Sequence, residues 1–282
     1  MQMAELEFEI PAGLRLVATG WGDERAPTVL LLHGGGQTRQ SWSATAERLA
    51  AAGRYAVALD MRGHGESAWC PEGQYRVANF AADLAVVLEQ LPRPAVVVGA
   101  SLGGITSLLY AEAHDEKHLR GIVLVDIATR LELDGARRIG DWMLKFADGF
   151  ESLEAVADAI ADYTPHRKRK PDFESLKRVV RQHSDGRYRW HWDPRFMSET
   201  GPAEVADQQL LLRAARTLSV PTLLVRGRES DVISLDGVRE FQNAVPHAQF
   251  VDVSGAGHMV AGDRNDAFTD AVQDFLDRHD PV

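Results

Sequence analysis

Five residues, Gly99-Ala100-Ser101-Leu102-Gly103, set a serine between glycines two positions away on either side. An apolar run at 95–98 (AVVV) precedes them, and a helical pattern over 104–113 follows. A strand that turns sharply into a helix strains the residue at the turn, and flanking glycines remove the side chains that would collide there. The serine hydroxyl is then held at the carboxyl edge of a sheet, above a helix N-terminus. There the backbone N–H of Leu102 faces the charge that grows on a carbonyl oxygen under attack. The pattern suits nucleophilic attack by Ser101 on a carbonyl carbon.

A serine needs a base to remove its proton. Of the ten histidines, His258 in Gly255-Ala256-Gly257-His258-Met259 is the one in a glycine-flanked loop after a late apolar run. His114 and His118 stand four apart among Asp115, Glu116 and Lys117, which reads as a solvated helix face rather than a metal pair. No H-E-x-x-H occurs, and neither a metal nor a cofactor is expected. The base in turn needs a carboxylate to fix its tautomer and to stabilise the imidazolium. Asp231, in Arg228-Glu229-Ser230-Asp231-Val232, is the first choice; Asp126, which closes the run at 122–125 (IVLV), and Glu229 are the alternatives. A second oxyanion donor is expected from His33-Gly34-Gly35-Gly36, with Gly35 preferred and Gly36 next.

These residues fall at the ends of short apolar runs. TVLLL at 28–32, YAVAL at 55–59, AVVV, IVLV, PTLLV at 221–225 and AQFVDV at 248–253 lack the polar alternation of a half-solvated strand. Such runs fit parallel strands buried on both faces. Helical patterns at 41–52, 77–90, 104–113 and 265–279 separate or follow them, the last with Phe268, Val272, Phe275 and Leu276 on one side. Strand and helix in repetition predict an α/β fold with right-handed crossovers. Residues 129–215 break the rhythm, with helical stretches near 136–147, 152–161 and 172–182, the aromatics Trp142, Tyr163, Tyr188, Trp190 and Trp192, and the basic run Arg167-Lys168-Arg169-Lys170, read as a solvated loop. This segment reads as a helical insertion.

Composition excludes several classes. The chain has 282 residues, enough for a large core without disulfides, and its single cysteine, Cys70, allows no intrachain bridge or multi-thiolate zinc site. Lys and Arg number 31 against 41 Asp and Glu, a net charge of −10 that argues against nucleic acid or an anionic membrane as partner. The first ten residues carry three glutamates and no apolar segment, and no stretch suits a membrane span, so a cytoplasmic protein is expected.

HGGG, DMRGHGES, GASLGG, RGRESDV and GAGH, in this order, resemble the α/β-hydrolase superfamily. The likeness is greatest to its single-chain branch of bacterial esterases, cofactor-free haloperoxidases and carbon–carbon bond hydrolases. It spans nearly the whole chain outside the insertion. It implies a mostly parallel eight-stranded sheet with a helical cap after the sixth strand: core at 1–128 and 216–282, cap at 129–215. It implies Ser101, Asp231 and His258 as triad, Gly35 and Leu102 as oxyanion donors, and Asp60, Arg62 and His64 as braces beside the oxyanion turn. Gly36, Trp142, Trp192 and Met259 are candidates for contact with a small, largely apolar ester, lactones and thioesters included. Carbon–carbon or peroxide chemistry on the same triad is the alternative, and a non-catalytic receptor a third reading. A monomer or homodimer is expected.

Overall fold

Runs of unbroken apolar residues form strands here because both faces of the central sheet are covered. The computed structural model describes residues 3–11, 13–114, 116–163, 173–199, 207–260 and 265–282. Its strands are β1 (Met3–Ile10), β2 (Leu14–Trp21), β3 (Thr28–Leu32), β4 (Tyr55–Asp60), β5 (Ala95–Ala100), β6 (Leu119–Val125), β7 (Val180–Gln182), β8 (Tyr188–Trp190), β9 (Thr222–Gly227) and β10 (Gln249–Val253). Eight of them make one sheet in the order β1-β2-β4-β3-β5-β6-β9-β10. β1 and β2 run antiparallel to each other, as do β2 and β4; the remaining neighbours are parallel.

Alternate residues of each central strand feed two separate cores. Val29 and Leu31 of β3, Val96 and Val98 of β5 and Val123 and Val125 of β6 pack on one face with Trp42, Phe268 and Phe275. Leu30, Leu32, Val97, Ile122 and Leu124 face the opposite side, against Phe80, Leu84 and Leu108. Both faces being apolar, the strands carry no period-two signal. β1 does: Glu5, Glu7 and Glu9 point to solvent while Phe8 and Ile10 are buried.

The chain crosses from β4 over β3 to β5, so the strand order reverses between β3 and β5. A crevice opens at such a reversal, outside the carboxyl ends of the strands. The His33–Gly36 loop leaves β3 and Ser101 leaves β5, so both flank it.

The segment between β6 and β9 covers this edge. Its described residues hold helices Leu133–Lys145 and Leu153–Tyr163, two helices of four residues, Phe173–Leu176 and Phe196–Glu199, and a hairpin of β7 and β8; of the helix expected near 172–182 only the first turn forms, and its end, Val180–Gln182, is strand β7. Helix Gln208–Thr217, also expected within the insertion, buries Leu211, Ala214 and Ala215 in the core beneath helix Leu102–Ala113. It belongs by packing with the core. The basic run Arg167–Lys170 lies outside the described residues. No described helix is long and apolar enough to cross a membrane.

Candidate active site

Ser101 occupies the turn between β5 and helix Leu102–Ala113 with φ 46° and ψ −109°. The flanking glycines are required by contact. A Cβ on Gly99 would lie 2.4 Å from the carbonyl of Gly103, and one on Gly103 would lie 2.5 Å from Leu32 O. Strand, helix and neighbouring strand therefore meet backbone to backbone, and the serine is what remains outside. Among the described non-glycine residues only Ser101 and Asp126 have positive φ, 46° and 51°. Such strain persists only where surrounding structure enforces it, and it concentrates at functional sites.

Leu102 is the first residue of its helix, so its N–H has no partner within the helix. In the facing glycine loop, Gly34 N–H donates to Gln37 Oε1 at 3.0 Å and Gly36 N–H donates to His64 Nε2 at 3.1 Å. That bond occupies the N–H of Gly36, the second of the two donors expected from this loop. Gly35, between them, is tied by neither. Residues of the insertion press on the loop from outside: a Cβ on Gly35 would meet the Phe196 ring at 3.3 Å, and one on Gly36 the Met143 methyl at 2.8 Å.

The loop is braced from beneath by two buried imidazoles. His33 Nε2 accepts from Met61 N–H at 3.0 Å, so its Nδ1 carries the proton and donates to Gly34 O at 2.8 Å. His64 Nε2 accepts from Gly36, and its Nδ1–H donates to Arg62 O at 2.9 Å. Arg62 forms a buried pair with Asp83, Nε to Oδ2 at 2.6 Å, and Asp60 accepts from the backbone of Arg39 at 2.6 Å and of Glu66 at 2.9 Å. Burial pushes the His33 imidazole down to about 4; burial and then the charge of His33 push His64 down to about 3. In an unfolded chain both take protons near pH 6.5. Between those values the unfolded state holds more protons, so stability rises with pH, is complete above about 6.5 and is lost as pH falls. Unfolding free energies from urea titrations between pH 7 and 5 are expected to fall with a limiting slope of about 2.7 kcal/mol per pH unit for the two rings, halved in His64→Gln. A flat profile would remove both rings from this role.

His258 meets a carboxylate 132 residues away in sequence. His258 Nδ1 lies 2.7 Å from Asp126 Oδ2. The Asp126 side chain is 0% exposed and that of His258 13%. An ionised carboxylate only accepts, so Nδ1 of the neutral ring carries hydrogen and Nε2 is left to take a proton. Asp231, the first choice from sequence, does not meet His258: its side chain is 51% exposed and pairs with Arg138 of the insertion. Glu229 is exposed too. The reason is register. Ala100 pairs with Val125 and Val125 with Val225, so the residues that follow, Ser101, Asp126 and Arg226, stand side by side at the edge of the sheet. The sequence does carry a signal: Asp126 directly closes an apolar strand, whereas Asp231 lies four residues beyond β9.

Ser101 and His258 open into one cavity of about 410 Å³, together with Gly35 and Leu102. Gly36, Trp142, Trp192 and Met259 all reach its wall. Trp142 stacks on Tyr163 with centroids 4.6 Å apart, packs against Trp190 at 5.3 Å, and donates its indole N–H to Ala159 O at 3.2 Å. Burial pushes the Tyr163 phenol up to about 12, which keeps it protonated. Among the described residues no Asp, Glu, Lys or Arg lines the cavity. No cluster of three or more His, Cys, Asp or Glu suited to a metal occurs among them either.

Residues 27–264 match the family model of the alpha/beta hydrolase fold. The chain is 34% identical over 275 residues to Esterase Rv0045c of Mycobacterium tuberculosis, across 92% of this chain and 86% of that one. It is 29% identical over 265 residues to a 3-hydroxybutyrate-oligomer hydrolase of Cupriavidus necator, across 88% of each. The crystal structure of E-2-(acetamidomethylene)succinate hydrolase aligns with TM-score 0.87 over 98% of this chain and 100% of that one, at 24% identity, a likeness of fold alone.

Proposed function

Because the chain belongs to the alpha/beta hydrolase family, we propose that it cleaves carboxylic esters of uncharged, largely apolar acids through an acyl-enzyme on Ser101. Its similarity to a named esterase along nearly its whole length makes it an esterase-like hydrolase. The observation that carries the finer reading is the 2.7 Å bond from buried Asp126 to His258, whose ring lines the cavity that Ser101 enters from a strained turn.

His258 Nε2 takes the Ser101 proton as Oγ attacks the ester carbonyl, and the oxyanion collects between the N–H groups of Gly35 and Leu102. Collapse of the tetrahedral species breaks the bond to the alcohol, which leaves with the proton from His258. Water then gives a proton to His258 and attacks the acyl carbon, releasing the acid and restoring Ser101. Asp126 holds the imidazole in the tautomer this needs and stabilises the imidazolium.

The cavity wall favours neutral acyl groups. Burying a carboxylate among Trp142, Met143, Trp192 and Phe196, with no cation among the described lining residues, costs several kcal/mol. The succinate in the name of the solved neighbour is a dicarboxylate, so its substrate does not transfer to this cavity. The test is turnover of p-nitrophenyl esters from C2 to C12 beside a hemisuccinate ester, with a fluorophosphonate to label the nucleophile. The expected result is labelling at Ser101 and a hemisuccinate kcat/KM about 100-fold below that of the neutral ester of equal length. No labelling and no turnover of any ester would overturn the hydrolytic reading; equal rates on both esters would overturn the assignment of acyl charge.

A further inference from the structure

Trp42, Trp142, Trp190 and Trp192 all line the cavity, and their indole N–H groups have different fates. That of Trp142 is spent on Ala159 O at 3.2 Å. Those of Trp42 and Trp190 are sealed inside the wall without a partner. That of Trp192 also meets no acceptor among the described residues, but it lies against the glycine loop, 3.6 Å from where a Cβ on Gly36 would stand. Gly36 and Met143, its neighbours there, line the cavity too, so this N–H borders the space that substrate enters. Trp192 is 3% exposed. A donor so buried costs free energy until an acceptor arrives.

The fold holds this donor in place. The Trp192 backbone forms a β-bridge with that of His64, and Asp193 N–H donates to Gly63 O at 2.8 Å. The buried Asp193 carboxylate accepts from Tyr75 O–H and from Arg195 Nη2, each at 2.6 Å. The indole ring meets Phe196 edge-on, with centroids 6.3 Å apart. Consecutive Cα atoms lie about 3.8 Å apart, so a donor beside Gly36 is within reach of an oxygen a few bonds from a carbonyl seated on Gly35 N–H.

We propose that Trp192 Nε1–H is a substrate-binding donor, and that the enzyme selects esters with a second, neutral oxygen (ether, keto or hydroxyl) a few bonds from the scissile carbonyl. An indole N–H only donates, so an oxygen lone pair satisfies it. A methylene in that place strands it, and a donor left unpaired in a closed site discriminates against the hydrocarbon analogue. This deepens the ester-hydrolase reading and rests on it for its kinetic test.

Two pairs of esters, each differing by one atom, test it. p-Nitrophenyl 3-methoxypropanoate and pentanoate place oxygen or methylene in the acyl chain; 2-methoxyethyl and butyl butanoate do so in the alcohol. Each pair is measured on the wild type and on Trp192→Phe, so that intrinsic reactivity cancels in the ratio. In at least one pair the preference for oxygen in kcat/KM is expected to fall about 10-fold in Trp192→Phe, and the pair that responds assigns the donor to the acyl or the alcohol side. Ratios unchanged in both pairs would overturn the donor. A second measurement needs neither turnover nor an active variant. In Ser101→Ala, the proton–nitrogen NMR signal of the Trp192 indole, identified by its loss in Ser101→Ala/Trp192→Phe, is expected to move further with an oxygenated ester than with its hydrocarbon counterpart. Equal movement within both pairs would overturn the donor. Selective movement with no ester turned over by the wild type would overturn the ester reading and keep the donor.

Discussion

Ser101→Ala is expected to lower kcat/KM on a neutral ester by about 10⁴-fold or more and to end labelling by a fluorophosphonate. The backbone bond from Ser101 N–H to Val125 O at 3.1 Å does not depend on the side chain, which opens into the cavity, so what the substitution removes is the hydroxyl. The turn stays in place because Gly99 and Gly103 let strand and helix meet, and neither glycine changes. Unfolding in urea should therefore differ by less than about 1 kcal/mol from the wild type. The binding surface survives too, so Kd for a substrate is expected to hold within about 2-fold, measured by quenching of the tryptophans at the cavity wall. Turnover within tenfold of wild type would show that another group does the chemistry.

The second large effect separates two aspartates. Asp126→Asn is expected to lower kcat by about 10⁴-fold, while Asp231→Asn should remain within about 2-fold of the wild type. Asparagine at 126 keeps the volume and removes the charge. Its amide N–H₂ must turn toward one of the donors that now surround the carboxylate, Gly227 N–H, Ser230 O–H or His258 Nδ1–H. The cheapest accommodation is for His258 to present a bare Nδ1, which leaves its proton on Nε2, where a base needs a lone pair. Asp231 carries no such burden. Its loss breaks an exposed pair with Arg138, and such pairs contribute about 0–1 kcal/mol. Initial rates for the two variants in one ester assay decide the matter, and a reversed order would return the acid to the β9 loop.

Several elements could not be read from local pattern. Val180, Arg181 and Gln182 form β7 at the end of a stretch expected to be helical over 172–182, and their strand state comes from pairing with Tyr188, Arg189 and Trp190 of β8. Helix Gln208–Thr217 has the polar outer face of an insertion helix, and what marks it as core is its contact with helix Leu102–Ala113. His64 reads as a brace, and the brace it makes is specific: its Nε2 occupies the Gly36 N–H and leaves the neighbouring Gly35 N–H outside that bond.

The central strands, Ser101, His258 and the glycine loop were determined by sequence alone, because each leaves a local trace. A strand buried on both faces must be apolar throughout, and a serine at a turn where two backbones meet at 2.4–2.5 Å must have glycines beside it. Which carboxylate serves His258 was decided by tertiary structure. Asp126 directly closes an apolar strand and Asp231 follows one by four residues, a local difference that does not say which of the two meets His258. They differ because Ala100, Val125 and Val225 are in register across three parallel strands, which sets Asp126 next to Ser101 and leaves Asp231 in solvent beside Arg138. That no described residue of the cavity wall is charged was decided in the same way, by how the described part of the insertion packs over the sheet edge, with Trp142, Met143, Trp192 and Phe196 facing inward.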